Sequence, residues 1–212
     1  MLSNDIENNL LVSITNNYEN TLIDTKCKEK IDEIDSVFND FIKLTFDNLT
    51  FNSKELLTEA QLDIFSSLHN ALSGFYRQAY NSLRSSLELV MFSIYFKDRD
   101  YEYFLWEKSG GKGEDARWGN TFNELIKKTI LDYNKIDINY NDYEKTLNDI
   151  NKLYGQLSNY THGKPSHLQT RNIKVEYDKG EFLKFLGKLT ETIENINYLC
   201  NIYFEGEIDE NE

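Results

Sequence analysis

A chain of 212 residues, 40% of them apolar and 14% aromatic, holds one domain of ordinary size with a real core, or one domain with an arm. A net charge of −13 excludes non-specific attraction to nucleic-acid phosphates as the default. A single proline and two isolated cysteines, Cys27 and Cys200, argue against a hairpin-rich fold and against a disulfide framework.

The charge is uneven: residues 1–60 carry 12 acids against 5 bases, and residues 162–188 carry 6 bases against 3 acids. The N-terminal MLSNDIENNLL has acids where a signal peptide needs bases, and no run reaches about 18 apolar residues. A cytoplasmic protein with no membrane partner is the expectation.

Taken in order, Ile6, Leu10, Ile14 and Leu22 predict a first helix over roughly residues 4–24. Thr25 is the candidate cap of a second helix carrying Ile31, Ile34, Phe38, Phe41 and Ile42. Together they form an acidic helical arm, 1–52. The main bundle, 53–204, is organised on the stretch from Thr58 to Asp98. There Leu72, Tyr76, Ala79, Leu83, Leu87, Val90 and Ile94 recur at three- and four-residue steps and predict one long central helix, starting at Ser53 or Thr58. Gly74, inside it, marks a close helix crossing or a bend. Ser109 to Gly119 is glycine-rich but lacks the spacing and the Lys-Ser/Thr ending of a phosphate-binding loop, so it reads as a flexible connection. Trp106 and Trp118 flank it, as anchors or as stacking platforms for a base.

Phe122, Leu125, Ile126 and Ile130 predict a further helix ending near Asn134. The next runs from Asp142 to about Thr161, burying Tyr143, Leu147, Ile150, Leu153, Tyr154 and Leu157, and is stopped by Gly163 and Pro165. Residues 172–177 alternate briefly, as a short extended piece would. The last helix places Phe182, Leu186, Leu189, Ile193, Ile196, Cys200 and Tyr203 on a heptad seam, for a bundle core or a dimer. Residues 205–212 hold five acids and read as a disordered tail. The fold class expected is all-α, a bundle of five to seven helices.

Two polar lines stand out against the apolar faces. His69, Arg77, Asn81, Arg84 and Glu88 share one side of the central stretch, with His69 read as a satisfied core histidine. Asn151, Gly155, Ser158 and His162 share one side of the later helix, a line of small and polar groups that would let another helix approach closely. The two lines are natural partners, which predicts that Arg84 and Glu88 meet the turn from Ser158 to His162. His162, at a helix C-terminus, sits where the dipole favours imidazolium. His167 has no cysteine or carboxylate at ligand spacing, so no metal site is expected, and nothing in the sequence asks for a cofactor.

A helix bearing Arg84 and Glu88, followed by one ending in Ser158-Asn159-Tyr160-Thr161-His162-Gly163, resembles the HEPN superfamily of helical prokaryotic domains. Many of these are metal-independent ribonucleases of toxin–antitoxin, CRISPR and phage-defence systems. The resemblance spans roughly residues 58–204. The family's signature is an arginine, often followed by a polar residue, then a histidine after four to six intervening residues. Here His162 takes the histidine place, and the arginine place falls on Gly155, Gln156 or Leu157. The resemblance thus implies that Arg77 or Arg84, with Glu88, completes a catalytic group around His162, or that the chain is a binding member. It further implies RNA contacts through Ser158, Asn159, Lys164 and Arg171, and a homodimer or a protein partner. The rival expectation is a non-enzymatic acidic interaction protein that binds a partner, inhibits it or mimics nucleic-acid charge.

Overall fold

In the computed structural model, which describes residues 4–110, 117–161, 176–204 and 209–210, the stretch from Thr58 to Asp98 is not one helix. It folds back on itself at Ser73–Phe75, where Gly74 has φ +82°. An L-residue with a Cβ reaches that region only under strain, whereas glycine adopts it freely. The turn is closed by backbone bonds from Gly74 N to Ala71 O (3.0 Å) and from Phe75 N to Asn70 O (2.8 Å).

The described elements are α1 (Asn4–Ile23), α2 (Thr25–Ile42), β1 (Leu44–Thr45), α3 (Phe51–Leu72), α4 (Tyr76–Tyr95), α5 (Asp100–Lys108), α6 (Trp118–Leu125), α7 (Lys128–Tyr133), α8 (Tyr140–Thr161), α9 (Lys179–Phe204) and β2 (Asp209–Glu210). The chain is all-α, a helical bundle. Nine helices appear among the described residues rather than five to seven, because two expected helices are each divided in two. One division is at Gly74. The other is at Ile126–Lys127, between α6 and α7.

The α3–α4 hairpin is the most extensive helix pairing in the molecule. Small side chains permit it: Ala60, Ser67 and Ala71 on α3 and Ala79, Ser86 and Ser93 on α4 are all fully buried. The serines cost little there because each hydroxyl returns to its own helix, Ser86 to Leu83 O (2.8 Å) and Ser93 to Val90 O (2.7 Å). Ser53 Oγ crosses the pair to Ser93 O (3.0 Å). The position expected to open the central helix therefore lies inside α3, which begins at Phe51.

The central element is α4, packed by α3, α6, α8 and α9. Leu83, Leu87, Val90 and Met91 have no exposed surface, and each such side chain contributes about 1.5–3 kcal/mol of transfer free energy. On α9 the whole heptad seam, Phe182 to Tyr203, is buried at 5% exposure or less, so it faces the bundle core.

α2 also lies on α9: Cys27, Ile34 and Phe41, at seven-residue steps, are buried in the same core cluster. The expected arm thus contributes directly to the core. Its cap is Asp24 rather than Thr25, accepting from Lys26 N (3.1 Å) and Cys27 N (3.2 Å) and pairing with Lys179 Nζ (2.7 Å). That lysine holds the Asp24 carboxyl below its ordinary range, with the capped amides adding to the effect. At the other end of α2, Gln61 of α3 donates to Phe41 O (2.8 Å) and Leu44 O (2.9 Å). α1 crosses the hairpin turn through Asn17 Nδ2 to Ser73 O (3.0 Å).

The expected extended piece at 172–177 lies mostly outside the described residues, and Glu176–Asp178 form no regular element. Most of the acidic tail is also outside them. Its Asp209 and Glu210, expected to be disordered, pair antiparallel with Thr45 and Leu44. Among the described residues no helix is long and apolar enough to cross a membrane.

Candidate functional site

α4 and α8 run antiparallel, and the polar line of α4 meets α8 at two places. Near the start of α4, Arg77 Nε donates to Tyr160 O (3.0 Å) and a terminal nitrogen donates to Thr161 O (3.0 Å). Thr161 Oγ1 donates to Asn81 Oδ1 (2.8 Å). The planar guanidinium spans two successive carbonyls of the last described turn of α8, a two-pronged contact that an ammonium could not make. The ring of Tyr160 stacks on that of Tyr80, centroids 3.8 Å apart, and fixes the same end of α8 against α4.

Two turns further along α4, Arg84 donates to Glu88 Oε1 (2.8 Å) and to the hydroxyl of Tyr154 (2.7 Å), and that hydroxyl donates to Glu88 Oε1 (2.5 Å). The guanidinium carbon also lies 5.0 Å from the Tyr154 ring centroid. Burial raises the Tyr154 phenol above its ordinary pKa, and the Glu88 carboxylate beside it raises it further, so the proton stays on Tyr154. Trp118 of α6 stacks on the Tyr154 ring, 3.8 Å between centroids and 5° from parallel, with its Nε1 donating to Asn151 Oδ1 (2.8 Å). The Arg84 and Glu88 side chains remain 22% and 23% exposed. Because they are half-buried, Glu88→Ala is expected to lower stability by about 1–2 kcal/mol, less than for a sealed ion pair. Tyr154 still holds Arg84 in that variant. A denaturant melt of the variant against wild type measures the difference.

The structure corrects several expectations. Arg84 and Glu88 meet α8 at Tyr154, one turn before Ser158, and it is Arg77 with Asn81 that reaches the helix end. His69 falls on α3, beyond the turn from the α4 line; it is exposed, and its Nδ1 lies 2.7 Å from the Tyr18 hydroxyl, so it is no core histidine. Gly155 does not mark a close helix approach: it is exposed, and a Cβ built on it would meet nothing within 4 Å. Trp106 packs against Phe92 and Phe96, away from Trp118. Asn159 is half-buried beside Ser158. His162, Lys164, His167 and Arg171 lie outside the described residues.

Sequence reasoning missed Trp118 and Tyr154 as members of the cluster. Both read as apolar packing in a pattern that marks periodicity and carries no sign of partners. Four buried atoms along this region, Tyr80 Oη, Arg84 Nε, Thr121 Oγ1 and Ser158 Oγ, have no hydrogen-bond partner among the described residues. Nor do these residues gather three or more His, Cys, Asp or Glu side chains at metal-holding distance.

The all-α bundle defines the class of fold, and comparison goes no further. No family model, curated protein or solved structure matches the chain.

Proposed function

We propose that the protein is HEPN-like, belongs to a prokaryotic defence or stress system, and binds or cleaves RNA without metal at the C-terminal end of α8. One observation carries this reading. Arg77, supplied by α4, is held on the carbonyls of Tyr160 and Thr161, the two residues that precede His162. In this reading the arginine absent from the family's place in the sequence is supplied by a neighbouring helix. Cleavage of RNA at a 2′-hydroxyl needs a base to take its proton and a cation to stabilise the charged phosphorane. In this reading His162 is the base and Arg77 the cation. Arg84 and Glu88, tied to Tyr154, hold α8 in register. Lys164 and Arg171, in the basic 162–188 segment, add phosphate contacts. The defence setting comes from the resemblance alone. The test is RNA cleavage in EDTA by wild type, His162→Ala and Arg77→Ala.

A second reading, a non-enzymatic acidic protein that acts through a protein partner or a second copy of itself, is favoured by the outer face of α3. Phe51, Leu62 and Phe65 lie on one side of that helix at 72%, 55% and 58% exposure. If this face is an interface, Leu62→Asp with Phe65→Asp moves the protein to a smaller species on a sizing column without lowering its melting temperature. An unchanged elution volume removes the homodimer.

A further inference from the structure

At the far end of α4 from Arg77, a cleft of ≈ 180 Å³ opens between the C-terminus of α4, α6 and α7. Ile94, Leu125 and Ile130 make its apolar lining, and Asp98 and Arg99 stand among its lining residues. Neither of these two charges forms an ion pair among the described residues, with each other or with anything else. Arg99 is nevertheless held in place, its guanidinium carbon 4.1 Å from the centroid of the Tyr95 ring. A cation stacked in this way loses little further freedom when an anion arrives.

Opposite charges on adjacent residues, not neutralising one another and lining one cleft together with Ile94, Leu125 and Ile130, match a small zwitterion with an apolar side chain. A guanidinium takes a carboxylate through paired N–H donors, and a carboxylate accepts from an ammonium. For scale, an apolar cavity of about 150 Å³ takes a benzene ring. We infer that this cleft binds a free apolar α-amino acid, with its α-carboxylate on Arg99, its α-ammonium on Asp98 and its side chain against Ile94, Leu125 and Ile130. No bond is made or broken there. The site is independent of the RNA reading and lies on other residues.

The test is calorimetric titration of the whole chain with L-leucine and L-phenylalanine, alongside leucinamide, which lacks the carboxylate, and N-acetyl-leucine, which lacks the ammonium. The free amino acids are expected to bind with millimolar or tighter affinity, and each capped derivative about tenfold more weakly or worse. Arg99→Gln should weaken leucine by a similar factor yet leave leucinamide unchanged, and Asp98→Asn should likewise weaken leucine yet leave N-acetyl-leucine unchanged. A melt of each variant confirms that it is folded, and Asp98, being exposed, is the safer of the two substitutions. His162→Ala should leave the titration unaltered. Absence of binding up to about 10 mM, or equal binding of free and capped forms, overturns the inference.

Discussion

His162→Ala is expected to abolish metal-independent RNA cleavage while leaving the melting temperature near wild type, because in this reading the histidine serves as the base and not as a packing residue. Arg77→Ala is expected to slow cleavage by about 10²-fold or more, the scale of losing one preorganised charge at a developing phosphorane. It should also lower stability, because the carbonyls of Tyr160 and Thr161 lose the donors that tie α8 to α4. The two effects separate if activity is measured well below the melting transition of the variant. Arg77→Lys sharpens the comparison. An ammonium keeps the charge but cannot span two carbonyls as the guanidinium fork does, so it should recover only part of the rate. The assay uses purified protein and total RNA in EDTA. Cleavage that requires added Mg²⁺, or that survives His162→Ala, would sink the mechanism. No cleavage under any condition would leave the interaction reading, with α3 as the face to pursue.

The largest effect on stability is expected from the α9 seam. Ile193 is 1% exposed and belongs to the main core cluster. Ile193→Ala removes three carbons from a fully enclosed core site, where partial relaxation leaves a cavity, and should cost about 2–4 kcal/mol. Equilibrium denaturation of the variant against wild type gives the number. An unchanged midpoint together with a changed elution volume would instead place the seam between subunits.

Much of the helical content was legible without coordinates. The seam of α9 repeats over three heptads, and only one face of a helix can collect residues spaced three and four apart. The buried face of α8 was readable for the same reason: Tyr143, Leu147, Ile150, Leu153 and Leu157 are all fully buried. The turn at Gly74 was not, because Leu72 and Tyr76 are four residues apart and carry the helical spacing straight across it. A glycine within such a pattern is compatible with a continuous helix and with a reversal alike. The packing of Ala60, Ser67 and Ala71 on the one side with Ala79, Ser86 and Ser93 on the other makes the reversal favourable, by burying two helix faces against each other.

The candidate site divides in the same way. That Arg77, Asn81, Arg84 and Glu88 share one side of a helix follows from spacing alone. Their partners did not: Arg77 binds backbone carbonyls, which every residue possesses and which therefore leave no mark in a sequence. Arg84 and Glu88 bind the hydroxyl of Tyr154, a residue whose ring satisfies the apolar pattern while its oxygen goes unread. Periodicity records which side of a helix is buried. The register between α4 and α8, which decides what each polar group touches there, is set by packing among segments far apart in the chain, and only the tertiary structure contains it.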